Sequence, residues 1–136
     1  MREPYEILPH TAALRIRAWG KTPEELFRNS LRGMSSVMAE SALAKPPTVT
    51  REVSIKAPDT ATLLIDFLSE ALSQSHLRRE VYIDVEFPEL GQTSLRATLS
   101  GVPVEAFEKD VKAVTYHGVE IKETDARYEA TVICDI

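Results

Sequence analysis

Four successive β-strand-like runs fill the second half of the chain, and this feature constrains the fold more than any other. The runs are EVYIDVEFP, TSLRATLSG, DVKAVTYHG and RYEATVICDI, separated by ELGQ, a proline-containing stretch and the turn KETDA. Runs rich in Val, Ile, Thr and aromatic residues between such turn signals are typical of neighbouring strands. No helical periodicity separates them, so this half of the chain predicts a sheet with short connections.

The first half of the chain predicts two helices between strands. ALRIRAWG alternates apolar and polar residues with the period of a half-buried strand. Thr22, Pro23 and Glu25 then supply a cap, a favoured first residue and the end of a capping box, so a helix begins at Pro23. After the strand-like REVSIK, Asp59 or Thr60 caps a second helix over ATLLIDFLSEALSQSHL. This order predicts an α+β fold in two layers, with two main helices packed on a mostly antiparallel β-sheet.

Composition narrows the class of protein. A chain of 136 residues, 43% of them hydrophobic, can fill one core, so we expect residues 1–136 to form a single domain. A net charge of -5 argues against a protein that binds nucleic acid on its own. The single cysteine, Cys134, allows no internal disulfide and is expected to be a buried hydrophobe. No signal-peptide pattern or membrane-spanning apolar stretch occurs, so we expect a cytoplasmic protein with no membrane partner.

Polar residues in the last two strand-like runs could carry chemistry. Asp135 falls on the side of its strand opposite the more apolar set, where an ordinary exposed acid is the simpler interpretation. In VKAVTYHG, Lys112, Tyr116 and His117 could serve acid–base or phosphate chemistry, or could be surface residues of a strand. His10 lies at a turn. The chain has no nucleophile elbow, phosphate-cradling glycine loop or spaced Cys/His zinc site, so its chemistry alone indicates no particular activity.

Four ordered blocks of the sequence resemble the archease family. They are YEILPHTAALRIRAWGKTPEELF, ATLLIDFLSEAL, VKAVTYHG and the ending CDI, and together they span nearly the whole chain. The resemblance implies a small α+β fold and no catalytic residues. It also implies a non-enzymatic role as a protein cofactor of the RtcB-type RNA ligase, which joins RNA ends in tRNA splicing and repair. In that role the protein promotes guanylylation and turnover of the ligase, its partner, and meets RNA only indirectly.

The resemblance further implies a divalent metal site, with calcium as the usual ion. Its ligands in the family are an Asp after His-Thr-Ala, the penultimate Asp and the C-terminal residue; the last two correspond to Asp135 and Ile136. This chain departs from the pattern, because Pro9 replaces an acid and Ala13 replaces the metal-binding Asp. Calcium takes about six to eight oxygen ligands and its affinity depends on their charge, so we expect the metal site to be severely weakened.

A partner pocket around His10, Lys112, His117, Asp135 and Ile136 is also implied by the resemblance. Lys112 matches the family's functional lysine and is expected to contact an anionic group on the ligase, its nucleotide or its RNA. Two alternatives stay open. The chain could be a diverged archease-fold binding or chaperone-like module that has lost metal-dependent ligase activation. It could also be an enzyme that uses His10, His117 and Asp135 as a hydrolytic set.

Overall fold

The computed structural model describes residues 4–10 and 13–136, without the side chains of Pro9 and His10. A 3-10 helix (Glu40–Ala44) follows the first α-helix. The elements in chain order are β1 (Tyr5–His10), β2 (Ala13–Gly20), α1 (Pro23–Ala39), β3 (Val49–Lys56), α2 (Thr60–Arg78), β4 (Glu80–Leu90), β5 (Ser94–Pro103), β6 (Ala113–Glu123) and β7 (Tyr128–Asp135).

The strands form two antiparallel sheets rather than one. A four-stranded sheet has the order β1-β2-β7-β6, and a three-stranded sheet has the order β3-β5-β4. Every pairing among the described strands is antiparallel. The predicted α+β fold, with two helices on antiparallel sheet, is confirmed. Its division into two sheets was not predicted, because alternation identifies strands without identifying their partners.

Both helices begin where their capping residues predict. Thr22 Oγ1 accepts a hydrogen bond from the Glu25 backbone N–H at 3.2 Å, and Pro23 occupies the first turn. Asp59 rather than Thr60 caps α2, since its carboxylate accepts from the Thr62 N–H at 2.7 Å. That hydrogen bond favours the ionised carboxylate and lowers the pKa of Asp59.

The core lies between the helices and the inner faces of both sheets. Phe67 from α2 lies 5.8 Å from Phe27 of α1 and 5.5 Å from Phe87 of β4, measured between ring centroids. Such aromatic contacts tie the two helices and the three-stranded sheet into one apolar cluster. The apolar stripes of both helices are buried: Leu26, Phe27, Leu31, Met34 and Met38 in α1, and Leu64, Phe67, Leu68, Ala71 and Leu72 in α2.

Two strand assignments differ from the sequence prediction. The strand β1 is additional, since the sequence indicated only a turn near His10. The strand β6 covers Ala113–Glu123, whereas the predicted run covered residues 110–118. Gly118 does not end the strand, because a register shift between Thr115 and Glu120 absorbs the residues around it and Gly118 adopts a positive φ of 69°.

The helix α1 covers the outer edge of β4, which is an edge strand of its sheet. Arg28 donates to the Val85 carbonyl at 2.9 Å, and Arg32 donates to the Ile83 carbonyl at 2.7 Å. The buried hydroxyl of Ser35 donates to the Tyr82 carbonyl. These bonds satisfy strand carbonyls that would otherwise face outward, so this edge is closed to further strand pairing.

A buried charge fixes the start of β4. The Glu80 side chain is only 6% exposed and receives two hydrogen bonds from Arg51 of β3, at 3.0 and 2.7 Å. The Tyr82 hydroxyl donates a further bond to Glu80 at 2.8 Å. These donors, Arg51 first, lower the pKa of Glu80, while burial and the Glu80 carboxylate raise the pKa of Tyr82.

Candidate functional site

The last strand, β7, ends inside the four-stranded sheet instead of at its margin. It lies between β2 and β6, and Asp135 pairs with Ala13 on one side and Ala113 on the other. Main-chain hydrogen bonds to both neighbours hold a strand in place along its whole length. The fold therefore fixes the position of Asp135.

Alternation along β7 follows the predicted pattern. Cys134 is 1% exposed and faces the core, whereas Asp135 is exposed on the opposite face. Burial, with a smaller contribution from the Asp135 carboxylate, raises the pKa of the Cys134 thiol to about 12. A thiol held neutral and inaccessible is not a nucleophile, so the prediction of a buried hydrophobe is confirmed.

Lys112 lies beside Asp135. Its backbone N–H donates to the Asp135 carbonyl at 2.8 Å, immediately before β6 begins. The Lys112 side chain is exposed and has no ion-pair partner among the described residues. By contrast, Arg17 in the same sheet is paired with Glu129 at 2.8 Å and Glu6 at 3.2 Å. Lys112 is therefore available to an external anionic group.

His117 lies well away from this pair. It is exposed in the irregular segment of β6, five residues beyond Lys112, which corresponds to roughly 15 Å along a strand. Its backbone N–H donates to Thr115 Oγ1 at 3.2 Å, and the neighbouring Tyr116 hydroxyl bonds Asp66 of α2. That bond raises the pKa of Tyr116. The structure thus brings the backbones of Lys112 and Asp135 together and leaves His117 on a separate part of β6.

The backbone of His10 lies level with Asp135 across the sheet, two strands away. His10 pairs with Ala13, which in turn pairs with Asp135. Two strand spacings amount to about 10 Å. The His10 side chain lies outside the described residues, as do residues 11 and 12. The predicted role of His10 therefore stays a prediction.

The described residues do not make a complete calcium site. Asp135 is flanked on its neighbouring strands by Ala13 and Ala113, whose methyl side chains supply no oxygen ligand. The described part of the chain contains no group of three or more His, Cys, Asp or Glu side chains placed to hold a metal ion. The carboxylate of Asp135 by itself supplies fewer oxygen ligands than calcium requires.

A groove between α2 and β6 was not predicted from the sequence. It has a volume of about 360 Å³ and is lined by Ser69, Leu72, Ser73, His76, Lys112, Ala113 and Val114. Two serines four residues apart on α2 face Lys112 across it, because residues at that spacing share one side of a helix. This spacing was visible in the sequence, but only the fold shows that Lys112 lies opposite.

His76 is one of the residues that line this groove. It lies in the last turn of α2. Its Nε2 atom lies 2.8 Å from the Val111 carbonyl, so Nε2 carries the hydrogen. The Phe107 ring lies 5.4 Å from the imidazole ring, between centroids. These contacts hold the imidazole and the segment leading to Lys112 against α2.

Sequence comparison decides the family. The profile described as "Archease protein family (MTH1598/TM1083)" matches residues 5–136. The chain belongs to the archease family. Protein archease of Methanosarcina barkeri is 36% identical over 140 residues, covering 97% of this chain and 95% of its own. Protein archease of Methanosarcina mazei is 34% identical with the same coverage.

Solved archease-like structures share the fold. The solution structure of Methanobacterium thermoautotrophicum protein 1598 has a TM-score of 0.78 and 27% sequence identity, covering 99% of this chain and 100% of its own. The crystal structure of a Thermotoga maritima archease, described as a possible chaperone, has a TM-score of 0.65 and 20% identity, covering 100% and 98%. The archease assignment made from the four sequence blocks is confirmed. Among the described residues, no helix has the length and apolar character needed to cross a membrane.

Proposed function

We propose that the chain is a non-enzymatic accessory protein that activates an RtcB-type RNA ligase. It promotes guanylylation and turnover of the ligase in tRNA splicing and RNA repair. The observation that carries this proposal is membership of the archease family over residues 5–136. A cytoplasmic location, and contact with RNA only through the ligase, belong to the same proposal.

The proposed contact surface is the exposed end of the four-stranded sheet. Lys112, Asp135 and Ile136 are close together there, and the Lys112 ammonium is free of ion pairs with described residues. His10 and His117 lie further out, at about 10 and 15 Å on strand spacings. A net charge of -5 favours a protein partner over direct binding of RNA.

A ligation assay with the cognate ligase tests the proposal. The chain is added at substoichiometric amounts across a series of divalent metals, and both ligated RNA and guanylylated ligase are measured. We expect multiple turnovers per ligase in its presence. No stimulation at any metal concentration would overturn the proposed function.

Extension of the chain after Ile136 supplies a sharper variant. The extension converts the carboxylate of Ile136 into a neutral amide, whereas an N-terminal tag of equal length leaves it unchanged. We expect the extended protein to stimulate the ligase less than the N-terminally tagged control. Equal stimulation by both would remove Ile136 from the contact surface.

We further propose that this chain binds calcium only weakly. Support comes from the two alanines beside Asp135, which stand where the adjacent strands could have supplied carboxylates. Titration calorimetry on the wild type and on Ala13→Asp tests this. We expect Ala13→Asp to tighten calcium binding by at least about tenfold, because ligand charge sets affinity.

Ala113→Asp, on the other side of Asp135, is the geometric control for that experiment. It adds the same charge next to Asp135, but on β6 instead of β2. Tighter calcium binding in Ala13→Asp alone would show that the position of the new carboxylate matters, and not only its charge. Tight calcium binding by the unmodified chain would contradict the proposal.

A second candidate function is a diverged binding or chaperone-like module that has lost metal-dependent activation. The same two alanines favour it, and the Thermotoga maritima relative is described as a possible chaperone. Titration calorimetry with calcium distinguishes the two candidates. Weak metal binding is compatible with ligase activation, whereas a diverged module should bind no metal. A hydrolytic set of His10, His117 and Asp135 receives no support from the position of His117 on a separate part of β6.

A further inference from the structure

We infer that the groove between α2 and β6 binds a phosphate monoester of mononucleotide size. The donor groups are the hydroxyls of Ser69 and Ser73 and the ammonium group of Lys112, all of which line the groove. The inference deepens the proposed function and rests on it for its biological meaning. The binding itself can be measured without the ligase.

The donors in the groove are free to bind a ligand. Neither Ser69 nor Ser73 forms a side-chain hydrogen bond within the described part of the chain, and Lys112 has no ion pair there. Two hydroxyls and one ammonium group offer up to five hydrogens. A phosphate monoester has three exposed oxygen atoms that accept them, whereas a carboxylate has only two. The donor set therefore fits phosphate better than the acidic side chain of a protein.

The charge of the groove agrees with an anionic ligand. None of the described residues that line it carries a carboxylate. Asp110 lies outside the lining, 3.9 Å from Nε2 of His76. Because Lys112 is the one lysine or arginine among the described residues that line the groove, the groove suits a single phosphate rather than a phosphodiester chain.

The size and floor of the groove suit a ligand larger than phosphate alone. Its volume of about 360 Å³ is within the usual range of about 300–1,000 Å³ for small-molecule sites. Leu72 and Val114 form an apolar floor that a sugar or a base can cover. These features favour a mononucleotide as the occupant.

A second groove, between α2 and β3, adjoins the first at Ser69 and provides an internal control. It has a volume of about 430 Å³ and is lined by Ser54, Ile55, Lys56, Asp66, Ser69 and Glu70. Lys56 is the counterpart of Lys112, but two carboxylates share its groove. Those carboxylates repel an anion, so we expect no phosphate site around Lys56.

NMR titration of the isotope-labelled protein tests the inference. Inorganic phosphate and a nucleoside 5′-monophosphate are added separately, at an ionic strength held constant with chloride. We expect saturable shift changes centred on Ser69, Ser73 and Lys112, with the mononucleotide binding more tightly than phosphate. Lys112→Gln should weaken binding by about tenfold or more, since it removes a charged hydrogen bond. The double variant Ser69→Ala/Ser73→Ala should have a similar effect.

The matched control is Lys56→Gln, which removes the same charge from the same helix neighbourhood. Binding of phosphate at wild-type affinity by Lys56→Gln supports the inference. A loss of affinity equal to that of Lys112→Gln would show that binding depends only on overall charge, and it would overturn the inference. Equal binding of acetate would overturn the choice of phosphate. Binding of an RNA oligonucleotide without binding of the mononucleotide would overturn the choice of a small ligand.

Failure of this inference is distinguishable from failure of the proposed function. Phosphate binding in the groove without any stimulation of the ligase would overturn the proposed function alone. Stimulation of the ligase by the wild-type chain, with no saturable phosphate or mononucleotide binding in the groove, would overturn the groove inference alone. All these substitutions lie on the surface, and thermal unfolding confirms that each variant is folded.

Discussion

The edge strands β4 and β6 each lie beside a helix, but among the described residues the polar groups between helix and strand are paired at β4 and unpaired in the groove at β6. At β4, α1 directs Arg28, Arg32 and Ser35 onto strand carbonyls, so the donors and acceptors are paired. At β6, α2 leaves Ser69 and Ser73 free opposite Lys112. The first arrangement stabilises the fold, and the second keeps polar groups available for a ligand. We call the first the closed edge and the second the open edge.

The difference between the two edges follows from how deeply their polar groups are buried. Ser35 is 2% exposed, so its hydroxyl requires a protein partner. The groups of the open edge reach water and need none. Substitutions at the closed edge should therefore cost stability, whereas substitutions at the open edge should cost function.

The largest effect on stability is expected at the start of β4. Glu80→Gln removes the charge that Arg51 and Tyr82 stabilise. We expect a loss of about 2 kcal/mol at pH 7, less than for a fully buried pair because Arg51 is partly exposed. Urea unfolding of the variant and the wild type measures it.

The pH dependence of that loss checks its cause. Arg51 lowers the pKa of Glu80 in the folded protein. A depressed pKa contributes stability that is present above the unfolded value of about 4.3 and is lost as pH falls through the folded value. The gap between wild type and Glu80→Gln should therefore shrink from pH 7 toward pH 3. A constant gap would show that packing, not charge, is responsible.

Ser35→Ala should destabilise the closed edge by about 1–2 kcal/mol. It leaves the buried Tyr82 carbonyl without the bond that Ser35 donates. Ser73→Ala, on the open edge, is the matched control and should change the unfolding free energy by less than about 0.5 kcal/mol. Equal losses in the two variants would remove the distinction between the edges.

Lys112→Gln should leave stability almost unchanged and reduce stimulation of the ligase. Its ammonium group supports no ion pair among the described residues, so we expect a stability change within about 0.5 kcal/mol. Stimulation of the ligase should nevertheless fall by about tenfold, as expected when a charged contact is lost. Parallel measurement of unfolding and ligation separates the two effects. A stability loss as large as that of Ser35→Ala would place Lys112 among structural residues.

The smallest effect concerns Asp135. Asp135→Asn removes one of two neighbouring anions at nearly constant volume. In metal-free buffer we expect stability to stay level or rise by less than about 0.5 kcal/mol, because the side chain is exposed. Thermal unfolding with and without excess chelator measures it. A marked loss would mean that the carboxylate has a structural partner.

The sequence by itself determined the helices, most strands and the buried face of each element. Thr22 and Asp59 mark helix starts because capping satisfies backbone groups locally, and alternation in β7 separates Cys134 from Asp135 for the same local reason. The family was also identified from short ordered blocks. Gly118 misled the prediction, since a glycine can end a strand or absorb a bulge with equal ease.

Tertiary structure decided which elements meet. Strand pairing joins residues far apart in the sequence, so nothing local indicated that Ala13 and Ala113 flank Asp135. The same holds for the two sheets, for the closed edge of β4 and for the groove in which Ser69 and Ser73 face Lys112. Local patterns fix secondary structure because the interactions are short-range, whereas a site assembled from four strands and a helix depends on long-range packing that no single segment encodes.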